Sequence, residues 1–304
     1  MAYKETALNR RILVTGATGE TGRYTTDLLI SQGFKVRALV HKADERSEKL
    51  SARGADVVVG DLLDFDAVRC AARDVNAAYF VYPIRPGLID ATAYFAQASK
   101  EAGLDGVVNM SQISAREDSK SHAARDHWIA ERVFDWSGVP TAHIRPTFFA
   151  QWLTYPLSRN ILERGVISLP LGNGRHAPIA AEDQARFIAA VLADPAPHKG
   201  KVYPLFGPVE MDQAGIAKAV GEVIGRPVGY EPISIEAYRQ RLESAGVMPP
   251  FLIQHLCAVA QDYQDGIFAG TDDIIGRLTG KPPMTVQEFV AAHIDLFRPE
   301  TTGH

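Results

Sequence analysis

The chain has 304 residues, 46% of them hydrophobic and 22% charged, and a formal net charge of −4. That length and composition fit a globular α/β protein of one large domain or a domain with a smaller lobe, and the weak negative charge gives no electrostatic reason to bind nucleic acid or an anionic membrane. No apolar run reaches the length of a membrane span and the polar segment 1–10 lacks the apolar core of a secretion signal, so the expected compartment is the cytoplasm.

Taken in chain order, Ile12–Thr15 reads as a buried strand. Gly16, Ala17, Thr18, Gly19, Glu20, Thr21 and Gly22 then form a G-x-x-G-x-x-G turn into a helix over Thr21–Gln32, closed by Gly33. A strand, a glycine turn and a helix in that order make a cradle for the pyrophosphate of a dinucleotide. The first glycine permits the turn, the second lets backbone approach phosphate, and the third lets helix pack on strand. The helix N-terminus adds free N–H groups and a positive dipole end. The expected cofactor contacts here are Gly16, Thr18, Gly19, Glu20, Thr21 and Gly22.

Val36–Val40 is the second strand, followed by His41 and Lys42 with no acid before Asp44. A site built for NAD places a carboxylate there to hold the ribose hydroxyls. Here the position is neutral or cationic, and Lys42 is expected to neutralise a ribose 2′-phosphate. NADPH is therefore the expected cofactor, with NADH as the alternative. Arg37 lies further back on the strand. Asp44–Arg53 reads as a helix, Val57–Val59 as a strand ending in Gly60-Asp61-Leu62, and Phe65–Ala72 as a short helix. Ala77–Val81 is a strand at whose end Phe80 and Tyr82 are expected to border the cofactor. Leu88–Ala102 is a helix, Gly106–Met110 a strand leading to Ser111 and Gln112, Ala124–Ser137 a helix carrying His127, and Thr141–Ile144 a strand.

This alternation predicts a Rossmann-type, doubly wound parallel sheet over residues 1–150, with ligand at the carboxyl ends of the strands. After residue 150 proline and glycine become frequent, and helices are expected at Asp183–Ala193, Asp212–Ile224, Ser234–Ala245 and Phe251–Gln264. Residues 151–304 read as a smaller, mostly helical substrate lobe. It is not independent, because a strand at Lys201–Pro204 is expected to return to the main sheet. Phe148, Phe149, Trp152 and Tyr155 cluster after the sixth strand, as a slot for a flat substrate or as lobe packing. His122, in a polar loop over Ser119–Arg125, and His176 are further candidates. Cys70 and Cys257 sit in apolar helical contexts and are expected to be buried free thiols. No residues show metal-ligand spacing. No helix carries a heptad seam, so a homo-oligomer is left open.

With these residues laid out, the chain resembles the NmrA-like branch of the atypical short-chain dehydrogenase/reductases, and within it the triphenylmethane reductases and NADPH-dependent quinone oxidoreductases. The resemblance runs through Val14-Thr15-Gly16-Ala17-Thr18-Gly19, Gly60-Asp61-Leu62, Gly138-Val139-Pro140, Ile144-Arg145-Pro146 with Phe149, Gly207-Pro208 and the segment 249–278. It implies Asp61, with Leu62, as an adenine-side contact; a helix cap is the competing role for Asp61. Conventional members carry Ser and Tyr-x-x-x-Lys. Set in register by Glu131 and Gly138-Val139-Pro140, Ser111 takes the serine position, Ala123 the tyrosine position and His127 the lysine position. Ser111 and His127 are thus the catalytic candidates. Ser111 and Gln112 are read as partners of the nicotinamide amide or a substrate oxygen, or as turn residues. His127 is read as orienting the nicotinamide ribose, donating to substrate, or lying on the surface.

A missing tyrosine argues against alcohol dehydrogenation. Hydride addition to a ketone develops alkoxide charge and needs a proton donor. A quinone or delocalised cation spreads that charge and needs mainly orientation. The resemblance therefore implies an NAD(P)H-dependent oxidoreductase that transfers hydride to a quinone or other flat aromatic electrophile, an aromatic biosynthetic intermediate among them. Its expected partner is a small aromatic substrate. The alternative is a non-catalytic NAD(P)-sensing regulator that acts through a protein partner, as NmrA-type regulators do.

Overall fold

Apolar runs buried on both faces make the central strands of the main sheet, as expected of a parallel sheet covered by helices. The computed structural model describes residues 9–155 and 158–297. The first strand, β1 (Arg11–Thr15), holds Ile12, Leu13 and Val14 with no exposed surface. It is followed by α1 (Glu20–Ser31), β2 (Lys35–Val40), α2 (Glu45–Ala52), β3 (Asp56–Val59) and α3 (Phe65–Ala71). Then come β4 (Ala77–Phe80), α4 (Leu88–Ala102), β5 (Gly106–Met110), α5 (His122–Ser137) and β6 (Thr141–Pro146).

A seven-stranded sheet runs in the order β3-β2-β1-β4-β5-β6-β8, where β8 is Val202–Leu205. The pairs from β3 across to β6 are all parallel. The chain winds outward from β1 to β3, then returns to place β4 on the other side of β1. That reversal is the switch point at which doubly wound sheets bind ligand. The fold is α/β, Rossmann-type. Under the helices, Phe80, Phe95 and Phe134 form one aromatic core, with ring centroids 4.8 Å apart for Phe80–Phe95 and 5.5 Å for Phe80–Phe134.

The chain divides into two compact units. One comprises Met1–Arg145 and Gln184–Pro204, and the other Pro146–Asp183 and Leu205–His304. The second is built mainly from helices α6 (Ser158–Arg164), α8 (Gln213–Ile224), α9 (Ile235–Ala245), α10 (Pro250–Gln264), α11 (Ile274–Thr279) and α12 (Val286–Ala292). Helix α7 (Ala181–Ala193) crosses the division. The second unit also holds an element that periodicity did not reveal, a two-stranded parallel sheet of β7 (Val166–Leu169) and β9 (Gly229–Pro232). β9 reads Gly-Tyr-Glu-Pro and is largely exposed, so it carries no apolar alternation to announce it.

Three local expectations are corrected. Cys70 is exposed, because Val68 and Ala71 take the inward positions of α3; Cys257 is buried, and burial pushes its thiol pKa up. The loop before α5 ends earlier than expected: Ser121 caps the helix, accepting from the Ala124 N–H at 3.1 Å, and His122 is its first residue. Asp64, not Asp61, caps α3, accepting from the N–H groups of Asp66 and Ala67 at 3.0 and 3.2 Å.

Candidate functional site

Thr15 closes β1 by binding across to the strand after the switch point. Its Oγ1 accepts from Val81 N–H at 2.8 Å and donates to Val81 C=O at 3.2 Å. Gly16 then turns with φ +54°, and a Cβ there would lie 2.7 Å from Val81 Cγ1. The loop is held by Gly19 N–H donating to Gly16 C=O at 2.8 Å. A Cβ on Gly22 would collide with that same carbonyl, backbone against side chain, so only glycine fits. Helix α1 starts at Glu20 with Gly19 as N-cap and no side-chain cap. Its first-turn N–H groups therefore remain available to an anion. The Glu20 carboxylate pairs with Arg23 at 2.8 Å. The Thr21 hydroxyl is committed to the buried Tyr79 hydroxyl at 2.7 Å and anchors the helix. Thr18 is half-buried within the loop.

Beyond β2, His41 and Lys42 are both exposed. His41 Nδ1 lies 3.6 Å from Asp61 Oδ2, while Asp61 Oδ1 accepts from Leu63 N–H at 2.9 Å. Leu62 packs half-buried against the core. Asp44 is consumed by α2: its carboxylate accepts from the N–H groups of Arg46 and Ser47 at 3.0 and 3.2 Å, and pairs with the Arg46 side chain. Arg37 is likewise committed, to Asp56 at 2.9 Å and to the carbonyls of Ala71 and Arg73 at 3.0 and 2.8 Å. These residues suit a phosphorylated ribose, since Asp44, the first acid after β2, already caps a helix.

On the other side of the switch point the expected residues divide. Phe80 is fully buried, so its ring serves the core rather than a ligand. Tyr82 is also buried; its hydroxyl donates to Pro86 C=O at 3.0 Å and accepts from Arg85 Nε at 3.1 Å, which shapes the loop before α4. Ser111 ends β5 and donates its proton to Glu131 Oε1 at 2.6 Å. Glu131 is fully buried on α5 and gripped by Arg145, from Nε at 2.8 Å and Nη2 at 2.5 Å. A hydroxyl that gives its one proton to a carboxylate keeps only acceptor lone pairs. Gln112 is fixed by Ser114, whose hydroxyl donates to Oε1 at 2.7 Å. Gln112 Nε2 is buried and has no hydrogen-bond partner among the described residues. Ala123 and His127 are both buried, four residues apart on the face of α5 that also carries Glu131. His122 lines a surface pocket of mixed charge with Glu117, Asp118, Lys120 and Arg125.

Sequence reasoning used Glu131 and Arg145 only as landmarks. The available signal was a carboxylate on the buried face of a helix, one turn beyond His127 and three residues before the core ring Phe134. Beside it, β5, β6 and α5 carry a second polar chain: Asn109 Nδ2 donates to His143 Nδ1 at 3.0 Å, and His143 Nε2 donates to Asp135 at 3.2 Å. Burial lowers the pKa of His143, which suits this neutral tautomer.

In the second unit, Phe148 is buried against His176 and Tyr263, with ring centroids 5.0 and 6.3 Å away, and Tyr263 stacks on Phe268 at 3.6 Å. His176 has no exposed surface, its Nε2 accepts from Gln213 Nε2 at 3.1 Å, and burial pushes its pKa down to about 3. Phe148 and His176 are therefore packing residues here. Phe149 and Trp152 are half-buried in and beside a 3₁₀ turn at Ala150–Leu153, and Tyr155 is exposed. Among the described residues no group of three or more His, Cys, Asp or Glu side chains could hold a metal ion, and no helix is long and apolar enough to cross a membrane.

The sequence matches the NmrA-like family over residues 8–290. It is 32% identical to the NAD(P)H azoreductase of Xenophilus azovorans, in an alignment covering 94% of this chain and 99% of that protein. It is 30% identical to the (4-alkanoyl-5-oxo-2,5-dihydrofuran-3-yl)methyl phosphate reductase of Streptomyces griseus, covering 95% and 100% of the two. The fold superposes on an NADPH-dependent quinone oxidoreductase from Escherichia coli with a TM-score of 0.80, at 25% identity, covering 93% of this chain and 99% of the other.

Proposed function

We propose, from the premise that the chain belongs to the NmrA-like family, that it reduces a quinone or another flat aromatic electrophile. It is an NAD(P)H-dependent reductase, like the NAD(P)H azoreductase to which it is similar along nearly its whole length. The cofactor fits the residues present: a glycine cradle that a Cβ would fill, an uncapped helix N-terminus, and a buried amide nitrogen without a partner. Bound NADPH supplies the hydride. In this reading the backbone of 16–22 holds the pyrophosphate and Lys42 meets the 2′-phosphate. Asp61 and His41 flank the adenosine, Ser111 and Gln112 meet the nicotinamide amide, and His127 orients its ribose. Phe149, Trp152 and Tyr155 are the rings assigned to a flat substrate, since Phe148 is spent on packing.

The observation that carries the substrate class is that neither position of the usual hydroxyl pair offers a free proton. The position of the usual proton-donating tyrosine is the buried Ala123, and the Ser111 proton is held by Glu131. Neither can protonate an alkoxide, so a simple ketone finds no donor in this set. A conjugated acceptor delocalises the added charge and takes its proton from water. The test is turnover of NADPH and NADH against quinones, azo dyes and simple ketones, followed by loss of reduced-nicotinamide absorbance. Turnover is expected with the conjugated acceptors and not with ketones. Tight dinucleotide binding with no turnover on any acceptor would make the chain a sensor instead.

A further inference from the structure

We propose that Ser111 recognises the nicotinamide carboxamide as a hydrogen-bond acceptor, in a polarity fixed by the buried Glu131–Arg145 pair; this rests on the NADPH-dependent reading above. In the conventional arrangement the serine hydroxyl would point its proton at the substrate. Here the proton is taken. Ser111 Oγ donates to Glu131 Oε1 at 2.6 Å, and the same oxygen accepts from Arg145 Nε at 2.8 Å. Glu131 Oε2 faces Arg145 Nη2 at 2.5 Å and Arg132 Nη2 at 3.6 Å. Held in that hydrogen bond by a carboxyl that Arg145 grips on both oxygens, the Ser111 hydroxyl is left with lone pairs only.

Topology says which end of the cofactor those lone pairs meet. The glycine loop follows β1, the His41–Asp61 end lies over β2 and β3, and Ser111 ends β5 on the opposite side of β1. A dinucleotide laid across the switch point with its adenosine over β2 directs its nicotinamide toward β4 and β5. The next residue completes the match. Ser114 donates to Gln112 Oε1 at 2.7 Å, which leaves the buried Gln112 Nε2 as a donor without a partner. Two consecutive residues thus offer one acceptor and one donor. A primary carboxamide offers the complement, an N–H donor and a C=O acceptor. A quinone or ketone oxygen is acceptor only and gains nothing from Ser111.

The test compares equilibrium binding of NADPH with that of its reduced 3-acetylpyridine analogue, which keeps the carbonyl and replaces the amide NH₂ by methyl. Wild-type protein is expected to prefer NADPH by about three- to tenfold, the size of one neutral hydrogen bond. Ser111→Ala should weaken NADPH alone, so that the ratio of the two dissociation constants falls to about one. Ser111→Cys keeps a donor for Glu131 but offers a poor acceptor. It should lose the preference as well, and it carries the test should the alanine variant not fold. Glu131→Gln should lower the ratio while dinucleotide still binds; a ratio held at the wild-type value would overturn the polarity-setting role given to Glu131. No preference in the wild type, or equal weakening of both ligands by Ser111→Ala, would overturn the inference. Failure of the wild type to bind any pyridine nucleotide would instead overturn the reductase reading.

Discussion

Around the adenosine end of the cradle, most charged side chains are already committed. Arg37 is tied to Asp56 and two carbonyls at the start of β2, and Asp44 is spent on the capping box of α2. His41 leans toward Asp61 across 3.6 Å. Lys42 forms no ion pair among the described residues and stands exposed one residue further on. An exposed lysine facing a phosphate gains roughly 1 kcal/mol after screening, or about fivefold in affinity. Lys42→Ala should therefore weaken NADPH about fivefold and leave NADH unchanged, as read by titration calorimetry with both reduced cofactors at low salt. Raising the ionic strength should shrink the difference, because the contact is solvent-screened. Unaltered NADPH affinity would remove Lys42 from the phosphate site. Arg37→Ala is the contrasting case: it should lower thermal stability and change both cofactor affinities alike.

Among the elements, α5 shows what a sequence can and cannot display. Its 3.6-residue periodicity places Ala123, His127 and Glu131 on one buried face, and that much is visible in the string of letters. That Glu131 takes the Ser111 proton is not, because the partners lie 20 and 14 residues away, on β5 and β6. The same contrast recurs elsewhere. Strands β1, β4, β5 and β6 were legible because burial on both faces forces continuous apolar runs, and the glycine loop was legible because the backbone geometry demands glycine at Gly16 and Gly22. Asp61 and Asp64 both satisfy the rule for an N-cap, and only the path of the chain decides that Asp64 serves. β9 is too polar and exposed to declare itself, and without it β7 has no visible partner. The α5 pair also carries a stability prediction. Removing one partner of a wholly buried ion pair costs about 3–5 kcal/mol. The Arg145 side chain is 23% exposed, so Glu131→Gln should cost less, about 2–3 kcal/mol. Denaturant midpoints measure this. Arg145→Gln added to Glu131→Gln should cost little more, since the coupling is already broken; additive losses would show that the two side chains do not act as a pair.

For the molecule as a whole, the second unit carries an acid-sensitive element of its own. His176 is packed between Phe148 and Tyr263 without exposed surface, and burial pushes its pKa down to about 3. His255 on α10 is nearly as buried and is pushed down to about 4 by the same desolvation. In the unfolded chain both revert to about 6.5. Between pH 6.5 and these depressed values the unfolded state binds protons that the folded state refuses. Stability is therefore fully present above pH 6.5 and falls as pH drops. Each histidine contributes a slope of about 1.4 kcal/mol per pH unit, so by pH 5 each removes about 2 kcal/mol. Carboxylates that lose their partners in acid add to this only at lower pH. Glu210, held below its usual range by Arg175 and the Gly270 N–H, titrates after the histidines have begun to act. Urea denaturation from pH 7.5 to 5 should show ΔG of unfolding falling with a slope of about two protons from these two rings, to which His143, also lowered by burial, adds in the first unit. His255→Gln should reduce that slope by about one. Equal slopes in the wild type and His255→Gln would mean that this ring is solvated in solution and contributes nothing to acid lability. A decline confined to pH below 5 would place the burden on carboxylates instead. Because both rings lie in the unit formed by Pro146–Asp183 and Leu205–His304, the aromatic stack around Tyr263 should loosen first. A near-ultraviolet dichroism change that precedes loss of helical signal between pH 6 and 5 is the expected signature.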